Sequence, residues 1–250
     1  MKRCVVLLAC CCFLFSVSCA ANKAVRKDKA ETARRLGEGY LATGNLSAAL
    51  RELLRAEKLY DKDPYVSYAL GLAYFAKNEF ALAISSFERA IELKSDYSEA
   101  FNAMGAVYLR LRKWDKAIPY FNKSRENLLY ATPHVALNNL GEAYRGKKEY
   151  RRAIEFYKKA IDDNPRFARA HQNLGVTYLA LGDHDAAVSS LKKAAHYAPR
   201  AAAIQYDLGM AYTGQYKRKE AIDAFKKVVG LIPDSELADR AQEEIRRLEQ

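Results

Sequence analysis

The sequence predicts an all-α fold, organised as a solenoid of six helix-turn-helix repeats with a capping helix at its C-terminal end. A short motif ending in tyrosine recurs six times at a nearly constant period. Each period contains two stretches with helical spacing of apolar residues, separated by a short polar turn. Half of the residues are apolar, and strand patterns are absent. Such a period indicates that units stack against their neighbours, without one compact core.

The first half of each unit carries the motif, for which LGEAY at 140–144 is one example and LGLAY at 70–74 another. Successive glycines of this motif are 34, 34, 36, 34 and 34 residues apart, and a tyrosine follows each by three residues. These predicted structural positions are Gly37, Gly71, Gly105, Gly141, Gly175 and Gly209, with Tyr40, Tyr74, Tyr108, Tyr144, Tyr178 and Tyr212.

The second half of each unit keeps the same register. An alanine stands twelve residues after each glycine, and a large apolar residue stands sixteen residues after it. Glycine costs up to about 1 kcal/mol relative to alanine inside a helix. Its recurrence therefore indicates close packing of the second helix, and we expect the alanine to be its small partner and the tyrosine to fill the space beside them. On this basis Gly141→Leu should overpack the junction, whereas alanine should be almost neutral.

Turns and helix ends follow from the polar stretches between the helices, such as TGNL, GKKE and GDHD. Pro165, Pro199 and Pro233 close the last three units, since proline cannot continue a helix. The final stretch, residues 234–250, is mostly charged and begins with Ser235 as a candidate N-cap. It suits a capping helix whose outer face remains in water.

These residues closely resemble the tetratricopeptide repeat over roughly residues 30–233. The departures are few: the first three units lack the closing proline, and leucine or tyrosine sometimes replaces phenylalanine. The resemblance implies a right-handed solenoid in which the first helices line a concave groove that holds a peptide or helix of a protein partner. The predicted repeats are 30–63, 64–97, 98–133, 134–167, 168–201 and 202–233.

The N-terminal stretch is of another kind, with a basic start followed by an apolar run too short to be a good spanning helix. SVSC at 16–19 resembles a bacterial lipobox, so we expect a signal peptide over 1–18, lipid attachment at Cys19 and a polar tether over 19–29. LLAC at 7–10 places Cys10 in a similar motif. Ordinary cleavage is the remaining alternative, and it would leave a soluble periplasmic protein.

The net charge is +11, and the basic surplus is spread evenly along the chain. An exported chain without a basic run does not favour nucleic acid as a partner. A solvated convex face is the simplest explanation for the surplus, and attraction to acidic partners, lipid head groups or cell wall is the alternative.

Catalytic patterns are not found in the sequence. His134, His171, His184 and His196 show no metal-ligand spacing, and His171 occupies a position where we expect a core role. The chain has no nucleophile signature and no glycine-rich phosphate loop. We therefore expect a protein without catalytic activity, cofactor or small-molecule substrate.

The predicted groove of the second repeat is apolar. Tyr65, Tyr68, Leu72 and Phe75 share one face of a helix, separate from the face that carries Gly71. A helix with two apolar faces is either buried twice or exposes one face for binding. Both alternatives remain open at this stage.

The predicted groove of the later repeats is polar. Asparagine side chains both donate and accept, so a row of them resembles the ladders with which peptide-binding repeat superhelices hold a main chain. Contacts between repeats are the alternative role. The candidates two residues before a motif glycine are Asn139, Asn173 and Asp207. Those three residues before a motif glycine are Asn102, Asn138 and Gln172. Glu142 and Arg145, which follow Gly141, complete the set.

The overall layout resembles the type IV pilus biogenesis and stability lipoproteins, the pilotins of the pilus secretin. The resemblance rests on the lipobox, the short tether, the six repeats and the junction at Leu129 and Tyr130. It implies an outer-membrane scaffold that helps the secretin to localise or to form multimers. A general periplasmic adaptor in polysaccharide export or cell-wall synthesis is the alternative.

Overall fold

The structure is a computed structural model that describes residues 23–127 and 130–250. The expected signal peptide, Cys10, Cys19 and Leu129 lie outside these residues. The described residues form helices and turns, and they contain no strand, which confirms the all-α prediction. The helices are α1 (23–42), α2 (Leu46–Leu59), α3 (Pro64–Ala76), α4 (Phe80–Leu93), α5 (Ser98–Arg110), α6 (Trp114–Ser124), α7 (Pro133–Gly146), α8 (Tyr150–Asp163), α9 (Ala168–Ala180), α10 (His184–Tyr197), α11 (Ala202–Gly214), α12 (Arg218–Leu231) and α13 (Glu236–Glu249).

The helices alternate between first and second members of six pairs, and α13 follows the sixth pair. Contacts divide the chain into two compact units, which we call the N-terminal unit (up to Val107) and the C-terminal unit (Tyr108–Gln250). Within the N-terminal unit α3 packs against α2 and α4. Within the C-terminal unit the pairs α7–α8, α9–α10 and α11–α12 each pack together. The first two pack against the pair that follows, and the third packs against α13.

The turn inside every pair contains one residue with positive φ, two positions before the second helix begins. Gly44 and Gly182 adopt this left-handed conformation without strain, and asparagine tolerates it well. Bulkier residues adopt it at a cost. The six residues are Gly44, Asn78, Arg112, Lys148, Gly182 and Tyr216. Their spacing is that of the motif glycines, so one backbone conformation recurs in all six repeats.

The motif glycines pack against a different residue from the one that the spacing indicated. A Cβ built on Gly141 would lie 2.5 Å from Cε1 of Tyr157, and one on Gly209 would lie 2.6 Å from Cε1 of Phe225. The large residue sixteen positions later therefore lies across the glycine and is its main partner. The predicted alanine contributes only its backbone carbonyl, with Ala49 O and Ala187 O each 3.3 Å from a Cβ built on Gly37 and Gly175. The helices approach closely because a side chain of the second helix fills the space that glycine leaves.

The motif tyrosines are half-buried and lie beside this contact. The Tyr144 ring stacks on Phe156 at 5.3 Å between centroids, and Tyr108 stacks on Tyr120 at 5.4 Å. Both rings of each pair lie within the C-terminal unit. The tyrosines therefore cover the edges of the core, which consists mainly of alanines and of the large residues of the second helices.

The two ends of the described chain are both helical. Residues 23–29, part of the expected tether, belong to α1, and Ala30 is fully buried. At the other end Ser235 Oγ accepts a hydrogen bond from the Ala238 amide at 3.1 Å, as expected of an N-cap. Ala241 of α13 belongs to the same apolar cluster as Phe225 and Val228 of α12. The last helix thus covers the end of the sixth repeat.

Candidate partner-binding groove

The first helices of the C-terminal unit form its more closely packed layer. α9 contacts both α7 and α11, whereas in residues 130–250 no comparable contact joins α8 to α10 or α10 to α12. A stack of helix pairs that is tighter on one side curves toward that side. The first helices therefore lie on the inner side of this unit, and their polar side chains form the candidate groove.

The centre of this groove is a closed network of hydrogen bonds. Asn138, which is fully buried, donates from Nδ2 to Glu142 Oε1 at 2.9 Å. Asn173 Nδ2 donates to Asn138 Oδ1 and to Glu142 Oε1, both at 2.9 Å. Because a side-chain amide has two donors, both donors of Asn173 are already engaged between α7 and α9. This arrangement corresponds to contacts between repeats, the alternative that the sequence left open.

Asn139 is also buried, with 8% of its surface exposed. It directly precedes Leu140, which belongs to the apolar cluster of α6 and α7. Asn139, a candidate groove residue, is therefore mostly withdrawn from the groove surface. The position two residues before the glycine lies at the border between the groove and the core. The periodicity of a single helix does not predict on which side of this border the residue lies.

A second polar link joins α9 to α11. Gln172 Nε2 donates to Asp207 Oδ2 at 2.7 Å. Burial raises the pKa of the Asp207 carboxyl, and the Gln172 hydrogen bond and the charges of Arg145 and Arg240 oppose this rise. Asp207 is thus a desolvated carboxylate held by one amide and two guanidinium groups at longer range.

Arg145 of α7 lies at the edge of the polar network and lines a cavity. Its Nε is buried and makes no hydrogen bond to the described residues, although a buried donor normally has a partner. The guanidinium charge opposes the rise that burial causes in the pKa of the Tyr157 hydroxyl. The side chain lines a cavity of about 410 Å³ within the C-terminal unit. The other lining residues are Leu109, Arg110, Arg112, Trp114, Glu142 and Gly146. Three arginines and one tryptophan favour a partner segment that presents a carboxylate beside an apolar group.

Arg110, Arg112 and Trp114 were not among the predicted groove residues. They lie at the turn between α5 and α6, outside the face of the first helix on which the prediction was based. One signal was available: Trp114 is the only tryptophan of the chain. A Cβ on Gly146 would lie 2.6 Å from its ring, so this glycine makes room for the indole.

In the N-terminal unit, Tyr65 of α3 is the exposed member of the predicted apolar stripe. Its side chain is 45% exposed, and its ring meets Tyr97 edge-on at 5.5 Å. Two cations flank the ring, with Lys94 Nζ at 5.3 Å and the Arg34 guanidinium at 5.6 Å from the centroid. Tyr65 is therefore a partly exposed ring with two cation contacts on the surface of the N-terminal unit.

Tyr68, on the same stripe, packs into the core. Its ring lies 5.0 Å from Tyr97 and 5.8 Å from Phe87, and the residue packs against the buried cluster that includes Ala90. Leu72 and Phe75 are half-buried, and Phe75 meets Phe80 at 6.0 Å. Asn102 is half-buried on α5. Both alternatives for the stripe thus hold at different positions: Tyr65 is exposed, whereas Tyr68 is covered.

His171 has the predicted core role. It is 4% exposed, its Nε2 lies 2.9 Å from the carbonyl oxygen of Pro165, and its ring stacks on Tyr197 at 5.6 Å. In residues 23–127 and 130–250, no group of three His, Cys, Asp or Glu residues is placed to hold a metal ion. In the same part of the chain, no helix is both long and apolar enough to cross a bilayer.

Comparison with protein-family models identifies the repeats. Models described as tetratricopeptide repeat match residues 96–166, 138–195 and 173–236, and a model described as TPR repeat matches residues 71–111. These matches together extend over residues 71–236. Anaphase-promoting complex subunit 3 of Schizosaccharomyces pombe is 30% identical over 128 residues, which are 49% of this chain and 18% of that protein. The chain spans less than half the length of the first curated relatives that it matches.

Two solved structures match the fold over almost their whole length. The structure of PilW, described as a widely conserved type IV pilus biogenesis factor, superposes with a TM-score of 0.78 at 20% identity. The match covers 85% of this chain and 98% of PilW. The structure of Pseudomonas aeruginosa PilF superposes with a TM-score of 0.74 at 19% identity, covering 88% of this chain and 99% of PilF. At these identities the comparisons show a shared fold.

Proposed function

Because the chain is a tetratricopeptide repeat protein, we propose that it is a non-catalytic scaffold of the cell envelope whose first helices hold a protein partner. Tetratricopeptide repeats generally mediate contacts between proteins. The proposed binding surface of the C-terminal unit is the cavity beside Arg145. Tyr65 is the proposed anchor of the N-terminal unit.

The chemistry of the cavity favours a partner segment with an acidic side chain or a C-terminal carboxylate. A guanidinium binds a carboxylate through two parallel hydrogen bonds, and such charge-assisted bonds are about twice as strong as neutral ones. The buried Nε of Arg145 makes no hydrogen bond to any residue that the structure describes. A bound carboxylate that reaches it would satisfy it, and Trp114 offers an apolar surface beside it.

We further propose that the partner is the secretin of a type IV pilus, and that the scaffold aids its localisation or its assembly into multimers. The observation that carries this proposal is the length of the match to PilW and PilF. Each match covers at least 85% of this chain and at least 98% of the other, so the two folds correspond in length as well as in the type of repeat. The lipobox-like SVSC and the Leu129–Tyr130 junction support the same assignment from the sequence.

The proposed location is the periplasmic face of the outer membrane, with the lipid on Cys19. A multiply acylated cysteine is a durable anchor, since each buried acyl CH₂ contributes about 0.8 kcal/mol. A soluble periplasmic form after ordinary cleavage is the alternative location.

A general adaptor in another envelope assembly is the second candidate function. It is favoured by the relatives that share the repeats, because anaphase-promoting complex subunit 3 belongs to an assembly of a different kind. Repeats of this type therefore serve in unrelated complexes, and the fold does not select the partner.

Deletion of the gene tests the proposal in cells that assemble type IV pili. We expect the deletion strain to lose secretin multimers from its outer-membrane fraction, and the wild-type gene to restore them. A Cys19→Ser variant should not incorporate a labelled fatty acid and should restore multimers poorly, whereas the Cys10→Ser variant should behave as wild type. Normal secretin multimers in the deletion strain would reject the pilus assignment and leave the general adaptor.

A further inference from the structure

The basic surplus, which the sequence spreads evenly, is concentrated by the fold at one edge of the C-terminal unit. This edge consists of the four turns inside repeats three to six, and we call it the turn edge: residues 110–116, 146–152, 180–186 and 214–220. Its residues include eleven lysines and arginines and five acidic residues. The described residues that follow the second helices, at 125–127, 130–131, 161–167, 195–201 and 230–236, include three basic and five acidic residues.

The turns of the turn edge lie side by side and form one continuous surface. Lys147 Nζ of the second turn lies 2.7 Å from Asp115 Oδ1 of the first. Arg151 of the second turn and Leu181 of the third line the same cavity of about 320 Å³. Gln215 Nε2 of the fourth turn donates to Asp185 Oδ1 of the third at 2.5 Å. The lysines and arginines lie on the first, second and fourth turns, whereas the third turn carries Asp183 and Asp185. The surface is therefore continuous, and its positive charge lies on either side of the third turn.

Two exposed apolar side chains lie on the turn edge among these charges. Tyr216 is 95% exposed and has a φ of 59°, a left-handed conformation that is unfavourable for a large side chain. Lys217, Arg218 and Lys219 follow it directly. Leu181 is 49% exposed. The Tyr216 ring is thus exposed to solvent at the tip of a basic turn, and its left-handed backbone conformation costs energy.

We infer that the turn edge binds the surface of a bilayer that contains anionic phospholipids. Lysine and arginine are attracted to anionic head groups within about a Debye length, and tyrosine favours the boundary between head groups and acyl chains. A row of short turns presents charges and apolar tips side by side, as a lipid surface requires. The edge shares Arg110, Arg112, Trp114 and Gly146 with the cavity beside Arg145. Lys148, Arg151, Lys217, Arg218 and Lys219 lie outside that cavity, so a loss of lipid binding through them is distinguishable from a loss of the protein partner.

Lysine labelling on vesicles tests the inference with the full chain. The protein is reconstituted into vesicles of phosphatidylglycerol and phosphatidylethanolamine, or of phosphatidylcholine alone, and acetylated briefly before mass spectrometry. Exposed lysines of the turn edge, Lys148, Lys217 and Lys219, should be labelled at least about threefold more slowly on the anionic vesicles. Lys158, Lys193 and Lys226, exposed on second helices, should be labelled equally on both. Equal labelling of the two sets on both vesicles would overturn the inference.

A pair of charge-reversed variants separates the edge from net charge. Arg151→Glu with Arg218→Glu leaves the reporter lysines in place and should abolish their protection. Arg166→Glu with Arg200→Glu removes the same charge from the opposite turns and should leave the protection intact. Loss of protection in both variants would overturn the lipid assignment. The same labelling is repeated on crude cell envelopes, and protection there without protection on anionic vesicles would also overturn the lipid assignment and would favour an acidic protein as the partner.

Discussion

At the scale of single residues, the motif glycine shows what a spacing can and cannot predict. Six glycines in register indicated a close approach of two helices, and the structure has that approach. The partner was misassigned because a small residue twelve positions later and a large one sixteen positions later lie on the same helix. Only the packing shows that the Tyr157 ring lies across Gly141.

This contact makes Gly141→Ala destabilising, where the sequence alone indicated an almost neutral change. Tyr157 is fully buried, so its ring cannot move away from the added methyl group. Overpacking of this kind typically costs about 1–3 kcal/mol. Urea unfolding followed by circular dichroism measures the loss.

Gly230→Ala is the matched control in the same unit, because nothing lies within 4 Å of its Cβ. We expect it to be neutral or to stabilise by up to about 1 kcal/mol. Equal stability of the two variants would contradict the packing account.

The Asp207 carboxyl predicts a dependence of stability on pH. Its pKa in the folded chain is raised above the ordinary value of 3.8, chiefly by burial. Ionisation therefore costs stability at neutral pH, and the cost disappears as the pH falls through the folded pKa and below the ordinary one. Asp207→Asn removes the cost and keeps an acceptor for Gln172. We expect the variant to be more stable than wild type at pH 7, with a gain that shrinks toward pH 4.

Unfolding in urea at both pH values measures this gain. Asp162→Asn removes one exposed carboxylate from the same unit and serves as the control. A gain for Asp207→Asn that does not change with pH, or a loss at pH 7, would show that burial of the ionised carboxyl is not costly.

At the scale of elements, α3 shows why the groove was predicted only in part. Its spacing correctly separated a core face from a second apolar face. It could not predict that Tyr97, which precedes α5, and Phe87 of α4 cover Tyr68 and leave Tyr65 exposed. Likewise, the asparagines of the later repeats were identified by position. Their mutual bonds depend on how far α7 stands from α9, which no single repeat encodes.

Tyr65→Ala and Tyr68→Ala should therefore affect different properties. Tyr68→Ala removes a ring packed against Tyr97 and Phe87, and we expect a loss of about 2 kcal/mol or more of unfolding free energy. Tyr65→Ala removes an exposed ring with two cation contacts, and we expect a loss of about 1 kcal/mol at most. Thermal unfolding compares them directly. An equal loss in both variants would place Tyr65 in the core and remove it as an anchor for a partner.

At the scale of the whole molecule, the sequence predicted the number of repeats, the two helices of each and the capping helix. It did not predict the basic turn edge or the cavity beside Arg145. Both consist of residues from the turns of different repeats. A count of charged residues along the chain does not detect such clusters. Charge is spread evenly along the sequence and yet concentrated at one edge of the fold, because that edge gathers residues from separate repeats.

The most direct test is the recovery of the pilus secretin with the full chain from detergent extracts of cells that assemble pili. The account predicts that the wild type recovers secretin, and that Arg145→Met, which keeps the aliphatic stem, recovers at least about tenfold less. Arg166→Met, an exposed arginine of the same unit, should recover as much as the wild type, and circular dichroism should show both variants folded. Full recovery with folded Arg145→Met would contradict the assignment of the groove, and no recovery with the wild type would contradict the assignment of the partner.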